Sequence, residues 1–301
     1  MRLCRFGNGR LGLVREDGVV DVSSVLERLP SYRYPLPRYD TLIANLEALR
    51  DAVEQEAVDQ SAIPFSDVVL ASPVANPGKI VAAPVNYRKH LDEAREDPEI
   101  HHQNQIAEIQ RAGLFLKAPS SLIGASDPIV IRHPDRRTDH EIELAVVIGK
   151  TADRVPPHRA LEFVAGYCIG LDITVRGSEE RSLRKSIDTY TVLGPWLVTA
   201  DELTDASQLS LELSVNGEAR QNANTRDLII NVPDLVAFAT SFYTLMPGDV
   251  LLTGTPEGVG PIKPGDSIRA SISSIGTMTV GVESIEDAAR RNLQSKCLGP
   301  V

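Results

Sequence analysis

Two glutamates one residue apart, Glu141 and Glu143, open the strongly apolar run Glu-Ile-Glu-Leu-Ala-Val-Val-Ile-Gly. This pattern is typical of a β-strand, in which the side chains at positions i and i+2 point to the same face. We therefore expect the two carboxylates to converge beside residues apolar enough to be buried. Two like charges at that separation repel each other strongly unless one is protonated or a cation lies between them.

A third acid, Asp172, ends another apolar run. Three acidic groups without a nearby cysteine suggest a hard divalent cation, Mg²⁺ or Mn²⁺, rather than zinc. The alternative is that Glu141 and Glu143 face water from a strand edge while Ile142 and Leu144 face the core. The spacing of the pair does not choose between these interpretations, but Asp172 favours the metal site.

A possible general base lies earlier in the chain, where His90 and Glu93 are three residues apart. One helical turn would place both side chains on the same face. A histidine oriented by a carboxylate is a common general base for activating water near neutral pH. Taken alone the pair is weak evidence, because a histidine and a glutamate are common on surface helices.

The segment 91–111 that contains Glu93 is very polar. It can be a solvated loop or a lid that orders over a substrate, and the two interpretations are compatible. The adjacent His101 and His102 resemble a metal-binding pair. Adjacent residues rarely face one site, so we expect these two histidines to be exposed.

Candidate contacts for an anionic substrate come from two lysines and a glycine-rich turn. Lys117 and Lys185 both lie beside apolar segments, and a site that binds an anion beside a metal needs cations. The turn at residues 253–260 contains Thr255 but lacks the pattern of a phosphate-binding loop. We favour a loop that offers backbone N–H groups and the Thr255 hydroxyl to a carboxylate. A simple tight turn remains the alternative.

The elements that must position these side chains indicate a β-rich α+β fold. Residues 1–22 predict short strands joined at Asn-Gly and Asp-Gly turns, and residues 39–56 have the apolar spacing of a helix. Proline and glycine place a linker near residue 70. Beyond it strands dominate, including those predicted at 141–148 and 164–172, whereas helices are predicted within 88–112, at 159–163 and at 232–244.

Composition narrows the class of protein. The formal net charge of −10 argues against a nucleic-acid partner, because such partners need a basic face. The first residues have no signal-peptide core, and no apolar run reaches the length of a membrane span. Three widely spaced cysteines without CxxC spacing fit a reducing setting, so we expect a cytoplasmic protein.

Together these residues resemble the fumarylacetoacetate hydrolase superfamily over residues 79 to 282. The order and spacing of the segments make the resemblance specific; they are KIVAAPVNYRKH, FLKAPSSLIG, DHEIELAVVIGK, VAGYCIGLDITVR, KSIDTYTVLGPWLVT, NVPDLVAFATSFYTLMPGDVLLTGTPEGVG and KPGDSI. The resemblance implies a mixed β-sandwich roll as the catalytic domain at 71–301, a small α+β domain at 1–70, a bound Mg²⁺ or Mn²⁺, and a homodimer.

The resemblance also assigns roles to the candidate residues. It implies that the metal ligands are Glu141, Glu143 and Asp172. It also implies that the catalytic residues are His90, Glu93 and Lys185, and that the substrate contacts are Lys117, Arg176 and Thr255. The sequence departs from relatives after Asp172. It reads Val175-Arg176-Gly177 where many have Ala-Arg-Asp, and Glu179 stands where many have glutamine. We expect an acid there to alter the charge near the metal.

These roles imply hydrolysis of a 2,4-diketo acid (an acylpyruvate). His90, backed by Glu93, would activate a water that attacks the C4 carbonyl, and cleavage of the C3–C4 bond would give pyruvate and a carboxylic acid. Fumarylpyruvate and maleylpyruvate, intermediates of aromatic-ring degradation, are the leading substrates. The alternatives are a 2-keto acid lyase or isomerase (oxaloacetate decarboxylase, hydroxydienoate hydratase or tautomerase) on the same metal–enolate chemistry, or a non-catalytic metal-binding relative.

Overall fold

Three β-sheets hold most of the chain in the computed structural model, which describes residues 1–101 and 107–297. The strands in these ranges, numbered along the chain, are β1 (Arg2–Phe6), β2 (Arg10–Arg15), β3 (Gly18–Asp21), β4 (Leu70–Ala71), β5 (Ile80–Ala82), β6 (Phe115–Lys117), β7 (Leu122–Ile123), β8 (Ile129–Ile131), β9 (Thr138–His140), β10 (Ile142–Ile148), β11 (Val164–Asp172), β12 (Thr174–Val175), β13 (Thr191–Thr199), β14 (Ser210–Val215), β15 (Glu218–Asn224), β16 (Val250–Leu252), β17 (Gly260–Pro261), β18 (Ser267–Ile272) and β19 (Gly276–Ser284).

The large sheet is mixed and runs in the order β3-β2-β1-β13-β11-β10-β16-β5-β6, with β4 beside β1 and β7 beside β13. A second sheet has the order β15-β14-β18-β19-β8, and a third, small sheet has the order β12-β9-β17. The large and second sheets share one apolar core, which makes the body of the protein a sandwich. The predicted β-rich α+β class with a mixed β-sandwich is confirmed.

Helices are short and lie around the sheets. Their bounds are α1 (Thr41–Ala44), α2 (Leu46–Glu56), α3 (Arg88–Glu96), α4 (Pro98–His101), α5 (Ile109–Ala112), α6 (Arg181–Lys185), α7 (Val232–Phe242) and α8 (Ile285–Cys297), with 3₁₀ turns at 23–28, 65–67, 119–121, 157–163 and 225–227. None of the helices in the described ranges combines the length and apolar character of a membrane span.

Strand β10 is apolar throughout because both of its faces are buried. Leu144 and Val146 face the core between the two larger sheets, whereas Ala145 and Val147 face a second core that helices α1 and α2 help to cover. A strand covered on both sides needs no alternation of polar and apolar residues. The acids that open this strand therefore sit at the edge of the most deeply buried part of the protein.

The first 71 residues join the large sheet. Strand β1 pairs with β13 through Leu3 and Leu197, and α1 and α2 pack on the face of that sheet that carries Ala145. The predicted division into a small domain at 1–70 and a catalytic domain at 71–301 stays a prediction. In the structure the two parts share a sheet and a core.

Most of the predicted elements near the site are confirmed. The strands predicted at 141–148 and 164–172 are β10 and β11, and the helix predicted at 232–244 is α7, with Asn231 accepting a hydrogen bond from the N–H of Asp234 as its N-cap. The helix predicted at 39–56 breaks at Asn45 into α1 and α2. The middle of the proposed lid, residues 102–106, lies outside the described residues, as do His102 and the side chain of His101.

Candidate metal centre and active site

The three predicted metal ligands converge. Glu141, Glu143 and Asp172 each offer a carboxylate oxygen, and these oxygens lie within 4.8 Å of one another. The antiparallel ladder of β10 and β11 brings them together, because the N–H of Asp172 donates to the carbonyl of Glu141 at 2.9 Å. All three residues are at most 4 % exposed. The alternative of a water-facing strand edge is therefore wrong.

Two cations neutralise part of this cluster. Lys185 Nζ donates to Glu141 Oε2 at 2.7 Å, to Asp172 Oδ2 at 2.6 Å and to the hydroxyl of Thr174 at 2.6 Å. Arg176 Nη2 donates to Glu141 Oε1 at 3.0 Å. Burial alone would raise the pKa of Glu141, but Lys185 and Arg176 hold that pKa down at about 2. Glu141 is therefore a permanent anion.

Glu143 has fewer compensating contacts. The N–H of Gly254 donates to its Oε2 at 2.6 Å, and its Oε1 accepts no hydrogen bond from a described residue. Burial and the charge of Asp172 raise the pKa of Glu143 well above its ordinary value. An all-oxygen set of three buried carboxylates, one with an unused oxygen, fits a hard divalent cation, whose charge would offset the repulsion within the set.

Lys117 lies beneath the cluster rather than beside open space. Its ammonium donates to Asp172 Oδ1 and to the backbone carbonyls of Lys185 and Tyr190, so all three of its N–H groups are used. The residue is 2 % exposed. These contacts hold Asp172 in place and leave no N–H of Lys117 free for the substrate contact that the resemblance implied. Arg176 likewise holds protein groups, Glu141 and Asp139.

The predicted base pair forms on helix α3. The His90 ring and Glu93 meet with Nδ1 and Oε2 2.8 Å apart, and the other oxygen of Glu93 accepts from the N–H of Gly258 at 2.9 Å. Because an ionised carboxylate only accepts, Nδ1 carries the proton and Nε2 is left as the basic atom. His90 is buried and close enough to the cluster to lower the pKa of Glu141.

The glycine-rich loop after β16 connects the base to the acids. Gly254 has φ +95°, and a Cβ there would lie 2.7 Å from the Cβ of Asn86, so this position requires glycine. Its N–H binds Glu143 and that of Gly258 binds Glu93, so these amides serve protein carboxylates. In this loop the hydroxyl of Thr253 has no partner among the described residues, and the hydroxyl of Thr255 accepts from Gln221 but keeps its proton for a ligand.

Gln221, in strand β15, is a residue of this site that the sequence did not reveal. It is 1 % exposed, and its Nε2 donates to Thr255 Oγ1 at 2.8 Å and to the carbonyl of Pro256 at 2.9 Å. Its Oε1 accepts from the N–H of Ile142 at 3.1 Å and from His140 Nδ1 at 3.2 Å. Since Thr255 Oγ1 accepts from Gln221, its hydroxyl proton is directed elsewhere, and it has no acceptor among the described residues.

We expect Gln221→Leu to raise KM about tenfold or more with a smaller change in kcat. Without Gln221 the Thr255 hydroxyl is no longer directed at a ligand carboxylate, and a hydrogen bond to such a charged group is worth about 1.5–3 kcal/mol. Thr255→Val should give a similar KM, and the double variant should add little to either single change. Steady-state kinetics of the three variants measure this. Asn222→Ala, on the exposed side of the same strand, is the control. Additive losses in the double variant would contradict the link.

The two departures from the family pattern have a common structural setting. Arg136 lies against Gly177, where a Cβ would come 1.9 Å from its Nη2, and it donates to both oxygens of Glu179 at 3.0 and 2.8 Å. Glu179 is exposed and its charge is matched by Arg136. The expectation that Glu179 alters the charge near the metal stays a prediction, in which its pairing with Arg136 would reduce the effect.

Comparisons with known proteins agree with this site. The family model for the C-terminal domain of fumarylacetoacetate (FAA) hydrolase matches residues 79–283. A maleylpyruvate hydrolase of Aquipseudomonas alcaligenes is 57 % identical over 289 residues, which is 95 % of this chain and all of that protein. The crystal structure of maleylpyruvate hydrolase from Sphingobium sp. SYK-6 has a TM-score of 0.81 at 42 % identity and covers 94 % of this chain and 100 % of that one. A structure of the same enzyme with manganese(II) ion and pyruvate has a TM-score of 0.80 at 41 % identity, over 94 % and 99 % of the two chains.

Proposed function

Since the chain belongs to the fumarylacetoacetate hydrolase family, we propose that it is a metal-dependent hydrolase of C–C bonds that cleaves an acylpyruvate to pyruvate and a carboxylic acid. The observation that carries the proposal is that one buried site contains both a histidine–glutamate base and three carboxylates that can hold a divalent ion. A purely binding protein has no use for the base. The relative solved with manganese(II) and pyruvate supports the same chemistry.

Glu141, Glu143 and Asp172 are the proposed ligands of the ion, which we take to be Mn²⁺ or Mg²⁺. When bound, the ion supplies a Lewis acid for the 2-keto acid end of the substrate. The carboxylates of Glu141 and Asp172 are held in position by Lys185 and Lys117, so the site is ordered before a ligand arrives. Such preorganisation lets charge stabilisation act without rearrangement of the protein.

The protein's own residues account for the proton transfers. Glu93 fixes the His90 ring so that Nε2 can take a proton from water, and the oxygen of that water bonds to C4 of the substrate. The C3–C4 bond then breaks, its electron pair stays on C3, and C3 receives the proton that His90 took from water, which gives the methyl group of pyruvate and restores the base. The three N–H groups of Lys185 bind Glu141, Asp172 and Thr174, so this ammonium would stabilise the negative charge of the leaving group through its charge rather than through a hydrogen bond. The Thr255 hydroxyl can donate to the substrate carboxylate.

A substrate panel tests the proposal. The purified protein, with Mn²⁺ or Mg²⁺, is incubated with maleylpyruvate, fumarylpyruvate, acetylpyruvate, oxaloacetate and a 2-hydroxydienoate. We expect pyruvate and the matching acid in equal amounts from the acylpyruvates, and loss of turnover with a chelator. Release of CO₂ from oxaloacetate without acylpyruvate cleavage would instead identify a decarboxylase, and no turnover at all would identify a non-catalytic relative.

We make two finer proposals, that the protein is a homodimer, as the family resemblance implies, and that it acts in the cytoplasm. The described free cysteines, Cys4 and Cys168, are both buried, which suits a reducing compartment. Multi-angle light scattering of the purified protein measures the oligomeric state. A monomeric mass at working concentration would contradict the homodimer.

A further inference from the structure

Helix α6 brings two cations to the ring of Phe115 beside the carboxylate cluster. The Lys185 Nζ lies 5.5 Å from the ring centre and the Arg181 Cζ lies 5.7 Å from it. Residues four apart lie on the same face of a helix, so the two side chains are neighbours. Because Lys185 is bound to Glu141 and Asp172, Arg181 lies at the border of the metal centre.

Arg181 differs from the other cations here because none of the described residues accepts a hydrogen bond from it. It forms no hydrogen bond or ion pair with any residue that the structure describes, although it is half-buried. Its neighbours are satisfied: Arg176 binds Asp139 and Glu141, and Arg184 donates to the carbonyls of Glu179 and Val175. Burial lowers the pKa of Arg181, which reflects the loss of water around the guanidinium.

A half-buried guanidinium without a partner is unfavourable to the extent that its buried donors lose hydrogen bonds to water and gain none in return. Its planar fork matches a carboxylate, which can accept two parallel hydrogen bonds. Since no residue in the described ranges accepts from Arg181, its acceptor would come with the ligand.

We propose that Arg181 binds a second carboxylate at the acyl end of the substrate, so that the enzyme selects dicarboxylic acylpyruvates. This inference rests on the proposed function, in which the pyruvyl end lies at the metal ligands and Lys185. In a four-carbon acyl group three carbon–carbon bonds separate the attacked carbonyl carbon from the second carboxylate carbon, which places the two roughly 3–4 Å apart. Arg181 and Lys185 are four residues apart in α6, a rise of about 6 Å, so a substrate whose pyruvyl end lies beside Lys185 extends within reach of the Arg181 guanidinium.

The test compares substrates with and without the second carboxylate. For Arg181→Met we expect kcat/KM for maleylpyruvate or fumarylpyruvate to fall about 100-fold, mainly through KM, while that for acetylpyruvate changes less than about twofold. Arg181→Lys, which keeps the charge but not the fork, should recover part of the loss. The control is Arg159→Met, since Arg159 pairs with Glu162 on the surface.

Inhibition by product fragments gives a second readout that does not depend on turnover of acetylpyruvate. The inhibition constant of maleate should rise at least tenfold in Arg181→Met, whereas that of oxalate, which mimics the pyruvyl end, should not change. Equal losses for both substrates and both inhibitors, or no loss for any, would overturn the role of Arg181. Failure of the wild-type protein to cleave either kind of acylpyruvate would instead overturn the proposed function.

Discussion

Glu143→Gln is expected to weaken Mn²⁺ binding at least about a hundredfold, since even outer contacts of a metal site contribute 10- to 100-fold to affinity. Turnover should fall about 10³-fold or more, because the charge that stabilises the reacting substrate is lost with the ion. The change is small in shape, and the glutamine oxygen can still accept from the N–H of Gly254. Isothermal titration with Mn²⁺ and kinetics at saturating metal measure both effects.

The same variant separates loss of a ligand from loss of the fold. The pKa of Glu143 is raised in the folded protein, and an acid with a raised folded-state pKa destabilises the fold above its unfolded-state pKa. Glutamine removes that cost. The metal-free variant should therefore melt at the same or a higher temperature than the metal-free wild type above about pH 5, and the gain should grow as the pH rises toward the folded-state pKa of Glu143.

Glu212→Gln, an exposed charge change on β14, is the control and should alter neither metal affinity nor turnover. A wild-type Mn²⁺ affinity in Glu143→Gln would place the metal elsewhere. A large drop in the melting temperature of the metal-free variant would show that Glu143 supports the fold rather than a ligand.

The local part of this architecture follows from the sequence. Strands β10 and β11 can be predicted from their apolar runs, which match strands buried on both faces. Helix α7 can be predicted from its cap at Asn231. The convergence of Glu141 and Glu143 follows from the side-chain period of a strand. That Asp172 joins them depends on the pairing of β10 with β11, which the spacing alone does not give.

The part of the site that the sequence does not predict depends on contacts between residues far apart in the chain. Gln221 sits among polar residues of β15, several of them exposed, and its partners lie 34 to 81 residues away along the chain, so no local pattern distinguishes it. Lys117 illustrates the same limit. Its position after an apolar segment suggested a cation for the substrate, but its role depends on carbonyls of Lys185 and Tyr190 that only the fold brings to it.

His90→Asn is expected to reduce kcat for acylpyruvate cleavage by about 10²- to 10⁴-fold, the usual contribution of a general base. Asparagine can still donate to Glu93 from near the position of Nδ1, so helix α3 keeps its contact to the loop at Gly258. It has no basic atom in place of Nε2. Metal affinity and inhibition by oxalate should stay within about threefold of wild type, because neither depends on proton transfer.

Two further variants decide how the base is built. Glu93→Gln should lose activity as well, because a neutral amide stabilises the protonated His90 ring less than a carboxylate does. The amide also has only one oxygen, so it cannot offer one oxygen to His90 Nδ1 and another to the N–H of Gly258. Glu96→Gln changes an exposed carboxylate at the end of the same helix and should leave kcat unaltered. Full turnover in His90→Asn would show that another group activates the water. If the affinity for oxalate falls together with kcat, His90 binds the substrate rather than removing a proton from water.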